Sequence, residues 1–152
     1  FFRKIGGWNE RLSRWNDYEL GARIMLTTPH IKWLKTKPFH VIRIHEDSIT
    51  GSSFSKDIEC LLQSLATVHN DINTLSKNRS IRKKCLLALY GKYNILKLHL
   101  LRESALYEAR MVDTTVRDVV CSGTKFRLIV VICRLWAILK LPGLWRILYH
   151  II

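Results

Sequence analysis

Apolar side chains recur at helical spacing through the middle of the chain. Ile58, Leu61, Leu62, Leu65, Val68, Ile72 and Leu75 keep to the i, i+3, i+4 rule, which predicts an amphipathic helix over residues 56–76. Asn78, Arg79 and Ser80 read as the turn that ends it. Residues 81–110, rich in Leu and Tyr, predict a second long helix, with Gly91 a weak point at about 1 kcal/mol relative to Ala. Residues 113–121 predict a short helix before Ser122-Gly123. Upstream, a shorter helix is expected from Asn16 to about Leu26. Asn16 is a good N-cap, Glu19 three residues on completes a capping box, and Thr27-Thr28-Pro29 stops the helix.

Elsewhere the period shortens. Residues 31–37 have strand character up to Pro38, and residues 39–45 alternate, with Phe39, Val41, Arg43 and His45 on one face. Residues 1–5 read as the end of a strand that delivers the chain to a turn at Gly6-Gly7. Residues 9–15 read as a loop or a single helical turn, and the polar run from Glu46 to Ser53 closes this first region. The pattern therefore divides into residues 1–55, a helical region 56–124 and a tail 125–152.

The tail is apolar and aromatic, with Trp136, Trp145 and Tyr149, but Arg127, Arg134, Lys140 and Arg146 interrupt it and Pro142-Gly143 splits it. A membrane-spanning helix needs about 20 consecutive mainly apolar residues, and no run in the tail approaches that. Aromatic residues among basic ones suit a helix lying at the headgroup level of an anionic membrane.

Charge sharpens this. The chain carries 25 Lys+Arg against 12 Asp+Glu, a formal +13, and no acid follows Asp118. An anionic partner is expected, either acidic lipid or nucleic acid. The cluster Arg79, Arg82, Lys83, Lys84 supports a basic helical module for nucleic acid as the alternative. The tail suits lipid better, and no recognised nucleic-acid motif is present, so no nucleic-acid partner is expected. Cys60, Cys85, Cys121 and Cys133 are far apart and form no Cys-x-x-Cys pair, which predicts reduced, packed thiols in the cytoplasm. The chain opens on Phe-Phe-Arg-Lys, with neither an initiator Met nor a signal peptide, and is expected to be an interior piece of a longer protein.

Few residues are placed for chemistry. Asp17, at a helix start beside a glycine turn and two tryptophans, can take a proton from an incoming hydroxyl; read locally, it need only complement the helix dipole. His45 ends an alternating run before Glu46-Asp47, which suits either a metal ligand or a solvated side chain. Gly6-Gly7 can bring backbone N–H groups to a diphosphate or simply make a turn. Trp8 and Trp15 can stack on a sugar ring or pack in a core.

In order along the chain, Gly6-Gly7-Trp8-Asn9-Glu10, then Trp15-Asn16-Asp17-Tyr18-Glu19-Leu20 with Arg23, then Val41 to Thr50 (Val-Ile-Arg-Ile-His-Glu-Asp-Ser-Ile-Thr), resemble the C-terminal half of the family 2 glycosyltransferases. The resemblance covers roughly residues 1–55. It implies an α/β fragment, the C-terminal part of a Rossmann-like GT-A domain, followed by a mostly α-helical extension. It implies an inverting enzyme that moves a sugar from a nucleotide-sugar donor to a glycan or lipid-linked acceptor at the inner face of a membrane. In its terms Asp17 is the general base, Gly6, Gly7, Trp8, Asn9, Glu10 and Asn16 line the substrate site, and His45 helps hold a divalent cation, Mn2+ or Mg2+. The family's usual Glu-Asp reads Asn16-Asp17 here, so the first acid is missing. No Asp-x-Asp occurs in the chain, and the nucleotide-binding half is expected outside it.

Overall fold

The computed structural model describes residues 2–27 and 53–117, with Lys32, Thr124, Leu128, Val131, Ile132 and Leu135. Its elements are α1 (Asn16–Thr27), α2 (Ile58–Leu75), α3 (Arg79–Arg102) and α4 (Leu106–Val116), with single 3-10 turns at Phe2–Ile5 and Ser55–Asp57. α1 and α2 run the same way. Arg14, just ahead of α1, bonds Asp57 just ahead of α2, and Met25 and Leu26 line one cleft with Thr74 and Leu75 at the other end. α3 turns back along them, and α4 turns back along α3, where Lys97 pairs with Asp113 at 2.6 Å.

The helices begin and end for local reasons. Asn78 caps α3 by accepting from the N–H groups of Ser80 and Ile81, so the helix starts at Arg79 inside the expected turn. The expected single helix over 81–110 divides at Glu103–Ala105. Ser104 takes a left-handed φ of 59°, and the N–H groups of Ala105 and Ser104 bond the carbonyls of Leu100 (2.9 Å) and Leu101 (3.2 Å). This is the Schellman pattern, in which a left-handed residue lets the chain satisfy its last carbonyls and leave the helix. Gly91, expected as a weak point, lies buried inside unbroken α3.

The core explains the order of the bundle. Leu65 of α2 and Leu89, Leu96 and Leu100 of α3 have no exposed surface, and burying each contributes about 1.5–3 kcal/mol. α2 is buried along one stripe. From Leu86 onward α3 is buried over a broad arc, with Leu87 and Leu98 buried as well as Leu89 and Leu96, as expected of a helix packed on more than one side. Tyr18, Ala22 and Leu26 of α1 pack against this core, as do Ala109 and Val112 of α4 and the separately described Ile132.

This packing corrects the architecture that the resemblance implies. Every element among the described residues is helical, and none is a strand, so they do not form an α/β, Rossmann-like GT-A fragment. A layered sheet fold needs helices that turn their apolar faces to the sheet; α1 spends its own on α2 and α3. The same finding overturns membership of the family 2 glycosyltransferases. Of residues 1–5, expected to end a strand, Phe2–Ile5 curl into a 3-10 turn because the N–H groups of Gly6 and Gly7 bond back to Arg3 and Phe2, each at 3.2 Å. The strands expected over 31–37 and 39–45 lie outside the described residues.

One long-range bond set fixes where α2 begins. The Glu103 carboxylate accepts from Ser53 Oγ (2.6 Å) and from the N–H groups of Phe54 and Ser55 (2.9 Å each). Burial opposes its ionisation, but these bonds together outweigh it and hold its pKa at about 2. Its contribution is therefore present above the ordinary carboxylate range and lost as pH falls toward 2. Glu103→Ala is expected to cost about 1–2 kcal/mol, as for loss of a helix cap, in urea unfolding at pH 7. An unchanged midpoint would show that these bonds do not hold the turn.

Candidate functional site

Two clusters form around α1. The first holds the glycine turn. Gly6 and Gly7 have φ of 90° and 64°, open to glycine at little steric cost, and a Cβ on Gly6 would stand 3.3 Å from Arg23 Nη1. Arg23 reaches across from α1. Its Nη1 donates to the carbonyl of Ile5 and its Nη2 to that of Gly7 at 2.8 Å. The other edge of the guanidinium grips Glu19, Nε to Oε1 at 2.6 Å and Nη2 to Oε2 at 2.9 Å. Glu19 is only 1% exposed, so this is a bidentate, mostly desolvated pair. The capping box expected of Asn16 and Glu19 does not form. Glu19 points inward to Arg23, while Asn16 Oδ1 accepts from the N–H of Asp17 at 2.9 Å.

Asp71 of α2 completes this cluster. Burial, then a hydrogen bond with Glu19, raises its pKa to about 6. Its buried Oδ2 meets no donor among the described residues, as expected where two carboxyl groups share a contact that only a proton can bridge. A raised carboxyl pKa gives stability that is complete below about 4 and is lost as pH rises through about 6. Asp71→Asn keeps a donor and removes the titration. It is expected to stabilise the fold at pH 7.5 by about 1 kcal/mol after allowance for solvent screening. The gain should vanish near pH 4; an equal effect at both values would remove the shared proton.

The second cluster lies round the helix. At about 100° per residue, Glu19 and Arg23 stand roughly 200° and 240° from Asp17, so the glycine turn is tied to another face than the one carrying Asp17. Asp17 is exposed in the first turn of α1, and its Oδ1 accepts from the N–H of Tyr18 at 2.8 Å. Trp15 enters the helix with a left-handed φ of 50°, unusual for an aromatic residue, and its carbonyl accepts from the N–H of Glu19. The result is a row of rings: Trp15 packs beside Phe54 with centroids 6.4 Å apart, and Phe54 stacks on His99 at 4.5 Å. Lys92 Nζ lies 4.4 Å from the Trp15 ring centroid and 5.1 Å from that of Tyr18. Burial lowers the Lys92 pKa, and the Asp17 charge opposes the shift. Burial, then the charge of Arg102, lowers that of His99.

Of the other residues read from sequence, Trp8 is half exposed and meets Phe2 edge-on at 6.4 Å. Asn9 Oδ1 accepts from the N–H of Arg11 at 3.2 Å, shaping the loop, and Glu10 is exposed. His45 lies outside the described residues. Among those residues no group of three or more His, Cys, Asp and Glu gathers for a metal ion, and Asp17 alone is no such site. Tyr18, Phe54, Lys92 and His99 were not legible as site residues. The one signal was the i, i+7 spacing of Lys92 and His99, which puts both on one side of α3.

In comparison with known proteins, no family model, no curated protein and no solved structure matches the chain.

Proposed function

We propose that these residues form the acceptor side of a sugar-transfer site, with Asp17 as the general base. The observation that carries the reading is the exposed Asp17 carboxylate, next in the chain to Tyr18, whose ring lies with that of Trp15 under the half-buried Lys92 ammonium. Rings that stack on C–H faces, with one acceptor and one donor at their edge, are the residue types that hold a pyranose. The proposal rests on this juxtaposition and not on the sheet fold.

In the proposed reaction an acceptor hydroxyl gives its proton to Asp17. Its oxygen forms a bond to the anomeric carbon of a nucleotide-sugar as the bond from that carbon to the diphosphate oxygen breaks, and the electron pair leaves with the diphosphate. The centre inverts in this single displacement. Lys92 donates to a neighbouring acceptor oxygen and orients the sugar on Trp15 and Tyr18. Trp8, Asn9 and Glu10 follow the glycine turn tied to the other face of α1 and are given no part in this site. A divalent cation, when bound, supplies charge neutralisation at the leaving diphosphate; no described residue is assigned to hold it. We place the acceptor at the inner, anionic face of a membrane because the chain is strongly basic. Among the described residues no helix is long and apolar enough to cross one.

The test is a fluorescence titration of the chain with oligosaccharides and glycolipids. Lys92→Met, which keeps the aliphatic stem over the rings, is expected to weaken binding about tenfold by removing a charged hydrogen bond. Asp17→Asn should leave binding near normal. If no glycan in the panel binds, or if Lys92→Met binds as well as the parent, the reading fails.

A further inference from the structure

We infer that the end of the bundle opposite Asp17 docks on an anionic lipid surface, through a cleft between the C-terminal ends of α1 and α2 and the first turn of α3. The cleft, of about 560 Å3, is lined by Met25, Leu26, Leu75, Lys77 and Ile81 among others. Met25 is 65% exposed and Ile81 53%, although both are large and apolar. Buried apolar surface is what a bundle of this size needs most, so two such side chains at one end are a cost unless something apolar meets them.

Charge states what that partner carries. Lys77 lines the cleft, and Lys84 follows Ile81 by one turn of α3. Arg79 and Lys83 are exposed at the same helix end. The sequence holds no Asp or Glu between Asp71 and Glu103, and none of Lys77, Arg79, Lys83 and Lys84 pairs with a described carboxylate. The C-terminal carbonyls of α2 complement Lys77. They leave the cations further along α3 facing solvent. A nucleic acid would use the cations and leave Met25 and Ile81 in water. A bilayer with acidic headgroups uses both, the cations at the phosphates and the apolar side chains among the first methylenes. This deepens the membrane location proposed above and does not depend on the transfer reaction.

The experiment is flotation of the whole chain with vesicles of phosphatidylcholine alone and of equal parts phosphatidylcholine and phosphatidylserine, at low and physiological salt. The chain is expected to float only with phosphatidylserine. Lys77→Gln with Lys84→Gln should weaken binding about fivefold for each charge removed. Ile81→Asp should weaken it at least as much, while Arg110→Gln, an exposed cation on α4, should leave it unchanged. All four positions lie in described, folded segments, and circular dichroism checks each variant. Two results would overturn the inference: equal losses for Arg110→Gln and the cleft variants, or normal flotation of Ile81→Asp with duplex DNA binding lost in the lysine variant. Asp17→Asn should float normally, so loss of docking and loss of catalysis are separable.

Discussion

Replacing Arg23 by alanine is expected to destabilise the fold by about 3–5 kcal/mol. The size follows from what is left behind. Arg23 satisfies both oxygens of Glu19, which has almost no contact with water, and two carbonyls of the glycine turn. Without it Glu19 is a buried charge beside Asp71, with no cation to balance it. The amides of Gly6 and Gly7 should then exchange faster, because their turn loses its anchor. The double variant Glu19→Leu with Arg23→Met should recover much of the loss, since apolar residues of similar volume often replace a buried pair without cost. Urea unfolding of the single and double variants checks this. If Arg23→Ala costs less than about 1 kcal/mol, the pair behaves as an ordinary surface salt bridge and does not organise the segment.

How much of this was legible in the sequence depends on distance along the chain. α1 and α2 could be read closely, because the 3.6-residue period and the stop at Thr27 are local. The break between α3 and α4 was not. Ser104 carries no glycine signal, yet it takes the left-handed position where glycine is usual, while Glu103 is held by Ser53, Phe54 and Ser55 far upstream. Glu19 shows the same limit. Its spacing from Asn16 matched a capping box, but an arginine four residues later and an aspartate on another helix drew it inward. The GT-A expectation rested on motifs that are short polar and aromatic strings. Such strings mark which residues can do chemistry and say little about the layer that carries them. The aromatic row is the clearest case: Trp15, Phe54, Lys92 and His99 come from three separate parts of the chain, and only packing brings them together.

The second large effect concerns Asp17. In the proposed reaction its carboxylate is the proton acceptor, and the neutral amide of asparagine has almost the same shape but cannot take the proton. Asp17→Asn should lower turnover by about 100- to 10,000-fold, the usual contribution of a positioned general base. Stability should change little, because Asp17 is exposed and its one described hydrogen bond, from the N–H of Tyr18, can be kept by the asparagine oxygen. KM for the acceptor should hold while kcat falls, as expected of an interaction made only in the transition state.

The most direct measurement is the rate of nucleotide diphosphate release in the presence of acceptor, compared between the complete protein as its gene encodes it and its Asp17→Asn variant. The account predicts acceptor-dependent release by the parent, and a variant that binds the acceptor normally but turns over at least 100-fold more slowly, within that general-base range. Near-normal turnover by the variant, or no release by the parent with any nucleotide-sugar, would contradict it.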